Sequence, residues 1–395
     1  MATEDYLFIQ PWFHPDETWG GFQLGGSNPT LAGGEVSHLF SLAATRSVNS
    51  GLPWFVPVVN ESDVRRTQAL PPERLVFLLK PPADPAHQEA AEQFEADLRR
   101  SGRKLGLIVS PGDPLPPTGA WDYVVMAVGH ARTLPPFTLM GLASRTLVAV
   151  NSVRSRNDYA WAAANQCSLV SGEYLLTRQT ALGKPDVTRL KLLELLALVA
   201  QDADTPALEE VFKQQPKLSY GLLRLVNSGA IAPRSPITSF GQAINLLGRR
   251  QLQRWLQLLV YAVANHGAPP NPLLLMAATR GRLMELLAAR RPPVDGIDDW
   301  GDAAFMVGTF SLLDVLLNLS MADILPQLPL PEAVQEALAT HGGPFGDLLK
   351  IIAAVDNHDL PSAASLLAQS GLAADGYTED QINALEWASK IRTPS

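Results

Sequence analysis

The stretch Leu75-Val76-Phe77-Leu78-Leu79 is apolar at every position and lies between Arg74 and Lys80-Pro81-Pro82. Five residues suit a strand and are too few for an ordinary helix. A strand that is apolar throughout is covered on both faces, as the strands of parallel sheets are. The same texture recurs on either side, in Tyr6-Leu7-Phe8-Ile9, Trp54-Phe55-Val56-Pro57-Val58-Val59, Leu105-Gly106-Leu107-Ile108-Val109, Tyr123-Val124-Val125-Met126 and Leu147-Val148-Ala149-Val150. Helical stretches, Ala86 to Ser101 and Asp158 to Asn165, fall between these runs. Alternation of strand and helix specifies an α/β architecture for the first half of the chain.

Further along, the period changes. Arg189 to Ala200 is apolar nearly all round, the mark of a buried helix. Thr205-Pro206 sets an N-cap residue before a proline at the first helical position, with Glu209 and Glu210 near the positive end of the helix dipole. Ser239-Phe240-Gly241-Gln242 reads as a capping box, and Gly248 stands where that helix should stop. The spacing predicts further helices over Leu218–Val226, Gln251–Ala264, Pro272–Ala289, Ala303–Leu317, Glu332–Ala339, Phe345–Asp356, Leu360–Ser370 and Thr378–Ile391. Two domains follow, 1–182 and 188–395, with the connection near Thr180–Thr188, where Gly183 and Pro185 cluster.

Composition narrows the function. The 395 residues carry a formal net charge of −8, which gives no global attraction to nucleic acid or to an anionic membrane surface. One cysteine, Cys167, allows no intramolecular disulfide and reads as a buried, inert thiol. Met1-Ala2-Thr3-Glu4-Asp5 has no positively charged lead into an apolar segment, and the apolar runs are read as too short to span a membrane. The expectation is a cytoplasmic protein. The glycine pairs Gly20-Gly21, Gly25-Gly26 and Gly33-Gly34 read as turns, and Trp12, Phe13, Trp19 and Phe22 as core aromatics.

The stretch from Gln215 to Ser228, containing Leu222-Leu223-Arg224-Leu225-Val226-Asn227-Ser228, is followed by Ile237-Thr238-Ser239-Phe240-Gly241-Gln242-Ala243-Ile244-Asn245-Leu246-Leu247-Gly248. This pattern resembles the HDOD domain, a relative of the HD and HD-GYP phosphohydrolases, over about 190–390. Phe310-Ser311-Leu312-Leu313-Asp314 also resembles the subfamily in which HDOD follows an EAL domain. HD chemistry needs a His-Asp doublet and further His and Asp ligands on metal. Residues 188–300 hold one histidine, His266, and the doublet His358-Asp359 lies far beyond the family's position, where it reads as a loop coincidence.

Gln10-Pro11, Gly21-Phe22-Gln23-Leu24, Val58-Val59-Asn60, Val153-Arg154-Ser155-Arg156-Asn157-Asp158-Tyr159 and Ser171-Gly172-Glu173-Tyr174 occur in the order and spacing of an EAL domain, the barrel that hydrolyses cyclic di-GMP. The first half therefore resembles a degenerate EAL domain. In such domains carboxylates at strand ends hold two metal ions that activate a water. By the resemblance, the signature glutamate falls on Leu78, the aspartate pair on Ile108 and Val109, and the lysine and aspartate of the next strand on Val125 and Ala127. The late glutamate falls on Asn151, the early one on Gln23, and Asn60 alone survives among the ligands.

The resemblance implies a shortened or degenerate (β/α) barrel of EAL type followed by an HDOD helical domain. It implies no catalytic residues, no metal and no cofactor, with Gln10 and Asn60 as remnants of the ligand site. The leading functional reading is a non-catalytic bacterial signal-transduction or scaffold protein that binds other signalling proteins in cyclic-di-GMP-linked regulation. The alternative is a cyclic-di-GMP receptor without hydrolysis, with Lys80 or Arg154 supplying positive charge. An enzyme with ligands relocated to His341, His358 and Asp359 is disfavoured.

Overall fold

A computed structural model describes residues 5–27, 33–48, 51–67, 70–82, 84–178, 236–238, 240–262, 271–297 and 299–391, with single positions and short runs between 193 and 227. The chain forms two compact units, one of residues 1–177 with 354–382, the other of 178–353 with 383–395. This differs from the expected division at 1–182 and 188–395, because 354–382 group with the first half.

Eight strands close a barrel: β1 (Leu7–Phe13), β2 (Trp19–Gly26), β3 (Trp54–Pro57), β4 (Leu75–Leu79), β5 (Lys104–Val109), β6 (Tyr123–Ala127), β7 (Leu147–Asn151) and β8 (Leu169–Ser171). Strands β2 to β8 run parallel, and β1 is antiparallel to both β2 and β8. Six of the eight strands fall on the predicted apolar runs. The other two escaped: β8 is three residues long, and β2 holds the glycines read as turns. Gly20, Gly21, Gly25 and Gly26 are strand residues, and the reason is steric. A Cβ on Gly21 would come 2.7 Å from the ring of Phe55 inside the barrel. The barrel is short in its helices rather than open. Among the described residues, α1 (Gly33–Ser41), α2 (Ala43–Ser47), α3 (Glu61–Arg65), α4 (Gln88–Arg100), α5 (Val128–Thr133), α6 (Pro136–Ala143) and α7 (Arg156–Ala164) accompany the strands, and no helix separates β5 from β6.

Inward positions follow the two-residue period of each strand. Trp12, Phe55, Val76, Leu78, Tyr123, Val125, Ala149 and Leu169 form one buried cluster, joined by Ile108. Phe55 is its hub, edge-on to Trp12 at 6.2 Å and to Tyr123 at 5.0 Å between centroids.

Strand β8 pairs with β1 only at Trp12 and Phe13, which leaves Leu7 to Ile9 without a strand on that side. The carboxy-terminal segment of the unit fills the gap. The amide of Gln381 accepts from the Ile9 N–H at 3.1 Å and donates to the Leu7 carbonyl at 2.8 Å, taking the bonds a longer β8 would make. Tyr377 is fully buried, edge-on to Phe8 and Tyr6, and the Tyr6 hydroxyl donates to the Leu372 carbonyl. A buried edge with open backbone groups would be costly, which explains why 354–382 go with the barrel.

In the second unit, α8 (Phe240–Ala262), α9 (Leu273–Ala289), α10 (Trp300–Phe310), α11 (Leu313–Leu317), α12 (Met321–Ile324) and α13 (Glu332–Thr340) are helical, and α14 (Gly343–Asp356) runs into residue 354 and beyond. Gly248 takes φ 72° and ψ 161° and divides α8 into two helical pieces, at the position where the sequence places a helix stop. The predicted Ala303–Leu317 helix is broken at Ser311 and Leu312 into α10 and α11. Trp300–Leu317 is apolar and long enough by composition to span a membrane, against the sequence expectation, and 56% of it is buried within the protein. Arg254 pairs with Glu285 and Asp302, and Trp387 lies against Trp255 and Phe305. The helices expected over 189–200 and 218–226 lie wholly or largely outside the described residues, as do the Thr205-Pro206 cap, the Ser239 cap, His266 and the 180–188 connection.

Candidate functional site

One pleat period nearer the carboxy-terminal ends of β7 and β8, the inward residues change character. Trp12 gives way to Gln10, Gly21 to Gln23, Ala149 to Asn151 and Leu169 to Ser171. These four polar side chains line a cavity of about 130 Å³ with Pro11, Trp12, Ser152, Arg154, Glu173, Asn357 and His358. This is the face on which (β/α) barrels carry their sites.

Glu173 follows β8 in a short 3-10 turn and is 8% exposed. Its Oε1 lies 3.2 Å from His358 Nε2, and its Oε2 is buried with no hydrogen-bond partner. Gln10, also 8% exposed, sits 2.8 Å from His358 Nδ1 through its Nε2, which also donates to the Val355 carbonyl at 3.3 Å. With the Gln10 amide donating, Nδ1 accepts, so the proton of a neutral His358 sits on Nε2 and faces Glu173. Asp359 caps α15 (Leu360–Gln369), accepting from the Ser362 N–H at 3.3 Å. The His-Asp doublet is thus a loop, as read, but its two members do separate work and the histidine is held in the cavity.

The two expected ligand residues part company. Gln10 is in the cavity. Asn60 is exposed and caps α3, its side chain accepting from the Asp63 N–H at 3.2 Å in a reciprocal capping box. It does not line the cavity, nor does Lys80. Of the positions onto which the sequence resemblance puts EAL ligands, Gln23 and Asn151 line the cavity. Leu78 and Val125 lie in the apolar cluster below it with Ile108 beside them, Val109 is buried, and Ala127 ends β6. Two hard cations need several oxygen donors, most of them anionic. Glu173 is the one carboxylate lining the cavity, so the residues present do not fit a two-metal centre. Among the described residues, no group of three or more His, Cys, Asp or Glu is placed to hold a metal ion. Sequence reasoning reaches Glu173 only as part of a motif and reads His358 as a loop coincidence. A local signal for either is lacking, since their pairing joins positions far apart in the chain.

The fold is thus a closed (β/α) barrel with a polar layer at its carboxy-terminal mouth, followed in sequence by helices. Residues 184–276 match the HDOD domain family. The chain is 28% identical over 200 residues to the cyclic di-GMP phosphodiesterase CdgJ of Vibrio cholerae serotype O1, a match covering 50% of this chain and 45% of that protein. It is 26% identical over 246 residues to YuxH of Bacillus subtilis (strain 168), covering 60% of this chain and 58% of that one. The chain spans about half the length of these curated relatives. Among solved structures, the Bacillus subtilis YkuI protein, with an EAL domain and in complex with cyclic di-GMP and calcium, is 14% identical, with a TM-score of 0.32 over 62% of this chain and 73% of that one.

Proposed function

We propose that this protein is a non-catalytic member of cyclic-di-GMP-linked signalling that acts by binding other signalling proteins. The apolar layer across β4, β5 and β6 carries this reading. By the EAL resemblance, Leu78 and Ile108 stand in place of metal-binding carboxylates and Val125 in place of a lysine, and all three belong to or pack against the apolar cluster. The relative named as a cyclic di-GMP phosphodiesterase supports the pathway and not the activity. A barrel that keeps its fold while its ligand positions become core retains surfaces and loses chemistry.

Hydrolysis is the direct test. Purified full-length protein incubated with cyclic di-GMP and magnesium or manganese should yield no linear dinucleotide above a protein-free control. Turnover that disappears in Glu173→Gln, the variant of the one cavity carboxylate, would overturn the proposal. The receptor reading draws on Arg154, an exposed cation at the cavity suited to phosphate. It sits poorly with a cavity of about 130 Å³, since pockets for drug-sized ligands run to roughly 300–1,000 Å³. A calorimetric titration with cyclic di-GMP separates the two readings.

A further inference from the structure

We infer that residues 355–360 form a releasable plug, which closes the barrel mouth in this state and uncovers the polar layer when it lifts. The segment meets the mouth through Val355, Asn357, His358 and Leu360, with Asn357 lining the cavity beside His358. Val355 offers its carbonyl to Gln10, and His358 bridges Gln10 and Glu173. Leu360 occupies the space over Gly25, where a Cβ would lie 2.7 Å from its Cδ1. Gly25 shares the inward parity of Gly21 and Gln23 on β2, so Leu360 covers the barrel interior itself.

The hold on the mouth differs from the hold on the flank. Tyr377 is fully buried and Gln381 makes two bonds to the β1 backbone, which fastens 372–382 firmly to Tyr6, Leu7 and Ile9. The plug's polar contacts include those of His358, whose side chain is 37% exposed. His358 also takes φ 60°, a left-handed conformation that a non-glycine residue adopts at a cost. Water can replace those contacts as the loop leaves, and departure relieves the backbone. The plug can therefore lift, with the last residues of α14 and the first of α15 unwinding, while 372–382 stays fastened to β1. Beneath it lie Gln10, Gln23, Asn151 and Ser171, side chains that donate and accept hydrogen bonds and suit a polar ligand.

The test uses thiol chemistry on the full chain. Burial pushes the Cys167 thiol up to about 12, so the natural cysteine is silent at neutral pH. Gln23→Cys places a reporter under the plug. Its alkylation by a bulky maleimide should be slow and should rise at least ten-fold when His358→Gly is added, a change that removes the pins and suits the positive φ. Because that variant also deletes atoms, Gly25→Ala is the decisive partner: it adds an atom, displaces Leu360 and should also accelerate alkylation. Unchanged rates in both backgrounds, or acceleration in His358→Gly alone, would overturn the plug. Circular dichroism of each variant establishes that the barrel is folded.

Discussion

The barrel interior has two adjacent layers that differ by a single pleat period. The middle layer, centred on Phe55, Leu78 and Val125, is apolar and closed. The mouth layer, Gln10, Gln23, Asn151 and Ser171, is polar and partly open. Both layers are built from the same strands, yet the polar residues collect on β7, β8, β1 and β2, whereas β4 to β6 carry apolar side chains. An apolar side of the barrel is therefore compatible with polar groups on the other side. Two groups at the mouth, Gln10 and Glu173, have a partner in His358 of the same chain.

The sharpest way to break this contrast is to return a carboxylate to the middle layer. Leu78 is 1% exposed. Leu78→Glu loses packing worth about 2–5 kcal/mol and buries an acid with no partner. A stability loss of about 3 kcal/mol or more is expected by urea denaturation. A variant that kept its midpoint and gained saturable manganese binding would show the middle layer to be a dormant metal site rather than core.

Next in size is the flank that completes the barrel. Gln381→Ala leaves the Ile9 N–H and the Leu7 carbonyl buried without partners, a loss of about 2 kcal/mol. Gln23→Ala, at the mouth, should stay within about 0.5 kcal/mol of the parent. Comparable losses from the two would mean that the mouth layer is structural too, and the contrast between the layers would fail.

How legible these layers were in sequence depends on length and on range. β4 was read at its full extent, because five consecutive apolar residues suffice. β8 was not, since three residues carry no period, and β2 was hidden by glycines that the interior needs for Phe55. The apolar replacements at Leu78, Ile108 and Val125 could be read because each lies within its own strand. The Gln10–His358–Glu173 contact could not, because three distant segments meet there. The helical reading was closest over α9, α13 and α15, where periodic stretches are bounded by proline or glycine.

A smaller effect separates Asn60 from the site it was expected to mark. As the N-cap of α3 it satisfies the Asp63 N–H, and Asn60→Ala should cost about 1 kcal/mol. Asn60→Asp should retain the cap and recover most of that stability. If instead Asn60→Asp changed calorimetric heats with cyclic di-GMP while stability stayed level, Asn60 would be a ligand residue after all.

The smallest expected effect lies in the helical unit and concerns pH. Burial holds the Asp314 carboxyl above its usual value of 3.8, partly offset by the Val315 N–H and by Arg178 and Arg280. Arg178 is 3.9 Å away, too far to compensate fully. A raised folded pKa means that the native state binds this proton more tightly than the unfolded chain does. Its contribution to stability is thus fully present below 3.8 and is lost as pH rises through the raised value. Asp314→Asn removes the titration, so the Tm of the variant minus that of the parent should increase between the acid side of that window and neutral pH. A difference that falls with rising pH would mean that the ion pair with Arg178 outweighs burial. The carboxylate would then be a stabilising member of the helical unit, in contrast to the acid-intolerant middle layer of the barrel.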